Sequence, residues 1–105
     1  MLTERREIQL ADLRRALEEQ YALHTQRLTE LTVLASRGED TDPVATEALI
    51  GSCRHALAEI AGALRGMAEG RYGICAACRQ DIPVERLEIL PYAQFCAPCQ
   101  QRRRD

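Results

Sequence analysis

Apolar residues recur at helical spacing through the first third of the chain. Leu10, Leu13, Leu17, Tyr21, His24, Leu28, Leu31 and Ala35 fall three or four positions apart. The gaps alternate, with one extra four between Leu13 and Tyr21, a stutter in a heptad-like seam. No Gly or Pro interrupts this run, which predicts a helix from about Thr3 to Ser36. The segment Ser36-Arg37-Gly38-Glu39-Asp40-Thr41-Asp42-Pro43 reads as a turn. Gly38 suits a left-handed C-cap, and Asp42 before Pro43 suits an N-cap followed by the first helical position. A second stripe, Leu49, Cys53, Ala56/Leu57, Ile60, Ala63/Leu64 and Met67, carries a second helix to about Glu69. Two long stripes joined by a short turn predict an antiparallel helical hairpin. At 1.5 Å per residue each arm is roughly 40 Å long or more. That is a rod.

Gly70 to Asp105 has no long period. The expected organisation is therefore a hairpin over residues 1–70, with its tip at about 37–43, followed by a small unit over 71–105. The whole is mainly α, a coiled-coil hairpin carrying a compact globule and a short C-terminal helix or tail.

Composition narrows the picture. With no Trp, one Phe and three Tyr, the chain has little bulky material for a deep core, and its Leu and Ala suit helix-on-helix packing. A formal charge of -2 argues against a general nucleic-acid binder, which carries a basic surplus. The start is charged with no apolar run behind it, and no segment approaches the ~20 apolar residues of a membrane span. A cytosolic protein is the expectation, and in the cytosol structural disulfides are rare.

Four of the five cysteines lie in the C-terminal unit: Cys75-x2-Cys78, a seventeen-residue spacer, then Cys96-x2-Cys99. A Cys-x2-Cys turn presents two thiolates to one metal from the same side, and a second such turn completes a tetrahedron. The spacer fits a double-knuckle zinc site. One structural Zn2+ is the first reading of this spacing. A rubredoxin-like iron site and a dithiol redox pair are the alternatives, the latter lacking a visible thioredoxin-like context. With all four ligands supplied by protein, no position stays open for a catalytic water. No Ser/His/Asp or Cys/His constellation or phosphate loop accompanies them, so an enzyme is not expected. His24 reads as a seam residue, His55 as solvent-facing, and Cys53 as a small buried hydrophobe.

The residues Gly70-x-Tyr72-Gly73-x-Cys75-x2-Cys78, Ile82-Pro83-x2-Arg86-Leu87 and Pro91-x-Ala93-x2-Cys96-x2-Cys99-Gln100 resemble the DksA/TraR C4-type zinc-finger family. The resemblance implies a helical hairpin projecting from a zinc-finger globule beside a C-terminal helix. It further implies a monomeric, cytoplasmic bacterial transcription regulator that binds RNA polymerase and slides the hairpin into its secondary channel. Some members act with guanosine tetraphosphate, and direct DNA binding is not implied. The family's tip motif, Asp-x-x-Asp-x-Ala, would fall on residues 42–47. Asp42 matches, whereas Ala45 stands at the second acidic position and Glu47 at the final Ala. After the first knuckle stands Arg79, where members often carry Gly.

The resemblance and the charge layout together mark two candidate contact regions. The tip holds Glu39, Asp40, Asp42 and Glu47 against Arg37 alone, with Asp40, Asp42 and Ala45 as its candidate partner-binding positions. Asp42 is a helix cap in either case. The tail holds Arg102, Arg103 and Arg104 against Asp105, a solvated end or a grip on an acidic partner. A zinc ribbon binding nucleic acid directly, or another protein-interaction module, is the competing functional class; the acidic balance and few aromatics for base stacking weigh against the former.

Overall fold

The computed structural model describes residues 2–38 and 42–104. Helix α1 runs Leu2–Arg37, α2 Pro43–Ala68, α3 Val84–Ile89 and α4 Ala97–Arg104. The two long helices pack against each other as the hairpin expected from the stripes. Gly38 follows α1 at φ 68°, and Asp42 caps α2, its side chain accepting from the Ala45 amide with Pro43 in the first turn. Asp40 lies outside the described residues.

The seam is narrower than the stripes. Leu17, Cys53 and Ile60 are buried, as expected, and His24, Leu28 and Leu31 are half-buried. Towards the tip, however, the buried residues of α2 are Thr46 and Ile50 rather than Leu49, which is exposed, as are Tyr21 and Ala35. A two-helix hairpin has one wall per helix, so an apolar stripe wider than the contact line leaves its flank in water. His55 is solvent-facing and pairs with Glu59 one turn on, Nε2 to Oε1 3.0 Å.

The α1 helix is ten residues longer than α2, and its first turns rest on the C-terminal unit. Leu10 and Leu13 pack with Tyr72, Ala93, Phe95 and Cys96 around the buried cluster Cys75, Ile82, Leu87 and Cys99. Arg6 reaches across, Nη1 donating to the Ile82 carbonyl and Nη2 to the Gly73 carbonyl, both at 3.0 Å. Farther along, the Tyr92 hydroxyl meets Gln20 Oε1 at 3.2 Å. The globule's core is therefore completed by the hairpin. A unit of some thirty-odd residues cannot bury enough apolar surface alone, and the first third of α1 supplies the missing wall.

Candidate metal centre

The first knuckle grows out of a miniature antiparallel turn. Cys75 N donates to Gln80 O at 2.8 Å and Ile82 N to Gly73 O at 2.7 Å, bracketing a single bridge between Ile74 and Asp81. Gly73 sits at φ 79°, and a Cβ there would lie 3.0 Å from Arg6 Nη2 and 3.4 Å from Leu87 Cδ1. Both the backbone conformation and the close approach of the Arg6 guanidinium from α1 disfavour a side chain here. Inside the turn, the Arg79 amide donates to Cys75 O at 2.9 Å. This closure places Arg79 at φ 65°, the one non-glycine residue in the left-handed region among those described.

The second knuckle opens α4. Gln100 N donates to Cys96 O at 2.9 Å, and Ala76 N donates to Gln94 O at 2.9 Å, fastening the knuckles to each other. The short α3, too brief to show a period in sequence, sits between them. Its Arg86 donates from Nε to Phe95 O at 3.1 Å, and the Tyr72 hydroxyl donates to Pro91 O at 2.9 Å.

These connections bring Cys75, Cys78, Cys96 and Cys99 together, with all four Sγ atoms within 4.8 Å of one another. Cys78 Sγ and Cys96 Sγ are 3.8 Å apart. Zn–S bonds of about 2.3 Å in a tetrahedron require S···S edges of about 3.8 Å, so the donor set fits one zinc ion. Its electrostatics point the same way. The Cys78 amide above all, then those of Cys96 and Ala77, pull the Cys75 thiol down to about 6 against the opposing effect of burial. Hydrogen bonding within the cluster, led by Cys96, together with burial pushes the Cys99 thiol up to about 12. Cys75 ionises readily while Cys99 resists, because several negative charges cannot share this volume without a cation. A divalent ion supplies that charge, and its binding releases protons. A site of four thiolates is the ligand set of a structural ion, one that holds the fold together.

Residues 70–104 match the prokaryotic DksA/TraR C4-type zinc finger family. The C-terminal third of this chain is a DksA/TraR zinc finger. The likeness also extends over the hairpin: transcription factor DksA2 from Pseudomonas aeruginosa superposes with a TM-score of 0.61 and 27% identity, covering 94% of this chain and 79% of that one. General stress protein 16O of Bacillus subtilis is 34% identical over 86 residues, 72% of this chain and 53% of its own length. An uncharacterized protein of Aquifex aeolicus is 44% identical over 43 residues, 41% of this chain and 30% of its own. The chain thus spans about half the length, or less, of these curated relatives. No described helix is long and apolar enough to cross a membrane.

The other sequence-predicted residues are separated from the DksA/TraR finger or engaged in it. Asp42 and Ala45 lie at the opposite end of α2, whose 26 residues span about 39 Å. Ala45 is exposed. Arg102, Arg103 and Arg104 form the last turn of α4, where cations complement the helix dipole. Arg103 also lies over the Phe95 ring at 4.3 Å, a cation–π contact that ties it to the globule. Arg6 was not foreseen. At the charged start of a helix it reads as a solvated residue, and no local pattern reveals that its guanidinium closes on a knuckle more than sixty positions away.

Proposed function

We propose that this protein is a bacterial RNA polymerase-binding transcription regulator whose hairpin enters the polymerase secondary channel while the zinc finger stays outside. The observation that carries this reading is the joint similarity of hairpin and finger to a transcription factor over 94% of the chain. Two long packed helices projecting from a compact base suit insertion into a channel. The finger's role is mechanical: its core grips the first turns of α1 through Arg6, Leu10 and Leu13 and so fixes the direction in which the hairpin projects. We assign Cys75, Cys78, Cys96 and Cys99 as the zinc ligands, Asp42 and Ala45 (with Asp40) as tip contacts, and Arg102, Arg103 and Arg104 as the basic contact of the tail. The reading includes a monomeric protein acting in the cytoplasm through the polymerase rather than through DNA, with no catalysis of its own.

Asp42 serves first as the cap of α2, and Ala45 leaves the tip with one fewer acid than the family motif. The protein on this reading binds polymerase and alters initiation weakly. The test is a binding titration of the zinc-loaded chain against core RNA polymerase, paired with in vitro transcription with and without guanosine tetraphosphate. Saturable binding, together with an effect on initiation that is lost when the hairpin tip is replaced by a short glycine linker, supports the reading. No binding, or an effect on initiation that survives the replacement, contradicts it.

A further inference from the structure

A cleft of about 500 Å³ lies between α2 and the first knuckle, within the size range of specific ligand sites. Its rim is basic, with Arg65 from α2 and Arg71 and Arg79 from the finger. Small apolar residues, Ala58 and Ala63 with Ile74, also line it. Two glycines, Gly62 and Gly66, bring guanidinium groups onto the helix. A Cβ built on Gly62 would stand 3.9 Å from Arg65 Nη2, and one on Gly66 would stand 3.6 Å from Arg71 Nη1. These positions are one helical turn apart, about 6 Å.

The acids nearby are already engaged. Glu69 accepts from Arg71 Nε at 2.9 Å, which holds its carboxyl below the usual range with further help from Arg65. Glu59 faces His55 at 3.0 Å. Arg79, by contrast, makes no side-chain hydrogen bond or ion pair among the described residues, and Arg65 acts on Glu69 only at longer range. Arg79 holds its position at φ 65°, a conformation that disfavours a side chain. Strain of this kind gathers at functional sites, and here it presents a planar, permanently charged fork to a groove.

We propose that this cleft is a docking surface for an acidic segment of a protein partner, with Arg65 and Arg79 receiving its carboxylates. Guanidinium forks match carboxylates in bidentate geometry, and the apolar residues of the lining suit the methylene stems of a short extended acidic peptide. The inference deepens the polymerase reading by naming a second contact, on the base rather than the tip.

The first experiment uses a short poly-glutamate peptide and the full zinc-loaded chain, followed by amide NMR. The expected shifts centre on Arg65, Arg71 to Ile74 and Arg79, and fade with salt, since exposed pairs are screened. The double variant R65Q/R79G binds about tenfold more weakly, in line with two exposed pairs. The single variant R79G also weakens binding, yet raises the thermal midpoint by about 2–6 °C, because glycine relieves the backbone. Loss of binding alongside gained stability separates the docking role from a structural one. Shifts centred on Arg102–Arg104, a double variant that binds as well as wild type, or binding of inorganic phosphate without the peptide would each overturn the inference. On core RNA polymerase the same double variant is expected to bind about tenfold more weakly. Equal binding of wild type and variant overturns this inference and leaves the polymerase reading standing. Absence of wild-type binding overturns that reading and leaves the peptide titration to decide this one.

Discussion

Replacing Arg6 with Ala should detach the start of α1 from the finger without unfolding either. Arg6 donates to the carbonyls of Ile82 and Gly73 at 3.0 Å each, and its Nε lies 3.8 Å from Asp81. The Asp81 pair contributes little, because that carboxylate is 71% exposed and exposed pairs are worth about 0–1 kcal/mol. The carbonyl contacts matter more. Gly73 O keeps a second donor, Ile82 N at 2.7 Å, so only Ile82 O loses its one side-chain partner. A single hydrogen bond from a charged donor, worth about 1.5–3 kcal/mol, is therefore the main loss, and the total comes to about 2 kcal/mol. At 1.4 kcal/mol per decade this is about a thirtyfold rise in local opening. Amide hydrogen exchange in the first turns of α1 should accelerate by that factor, while amides around Ile60, at the buried centre of the hairpin, stay nearly unchanged. Arg6→Lys should recover little, since one ammonium cannot address both carbonyls in a fork. Exchange at residues 6–13 within twofold of wild type in the Ala variant would refute the reasoning, as would full rescue by Lys.

Other expectations follow from the same geometry. Chelating the metal should melt the finger's tertiary order while much of the helix signal of the hairpin persists, because structural zinc supplies about 10–16 kcal/mol; full tertiary order in the metal-free chain, read by amide NMR, would contradict this. Asp42→Ala should cost about 1 kcal/mol in denaturant unfolding and Asp42→Asn a few tenths, so that any transcriptional defect of the Asn variant reports charge rather than capping. Ala45→Asp places an acid in the first turn of α2, favourable by about 0.3–1 kcal/mol, and should strengthen the effect on initiation with little change in polymerase affinity. Burial pushes Tyr72 up to about 12 from its free value near 10. The stability tied to its neutral form is therefore complete below about pH 10 and is lost as pH rises towards 12, a decline that Tyr72→Phe should flatten in alkaline denaturation curves.

Much of this architecture is legible from residue order, for physical reasons that also mark where legibility ends. A helix repeats every 3.6 residues, so Leu13, Leu17 and Ile60 announce their elements, and Asp42-Pro43 announces where α2 begins. The spacing of four cysteines announces a metal because two knuckles are a local geometry. The α3 helix escapes, since six residues hold less than two turns. Which flank of a wide stripe becomes buried depends on how the partner helix is rotated, and Leu49 and Ile50 exchange roles for that reason. Arg6 and Arg79 escape most completely. The first is defined by a contact across most of the chain, and the second by a backbone angle imposed by closure of the knuckle around Cys75. Arg65 and Arg71 likewise look like solvated charges until the finger folds back over α2 and gathers them with Arg79 on one rim.

The central claim, that the hairpin tip enters RNA polymerase, is tested most directly by placing a photo-crosslinking amino acid at Ala45, which is exposed and donates only its backbone amide to Asp42. In the zinc-loaded protein mixed with core RNA polymerase, crosslinks should fall on residues lining the secondary channel and disappear when the metal is chelated. Crosslinks confined to the outer surface of the polymerase, or none at saturating protein, would contradict the account.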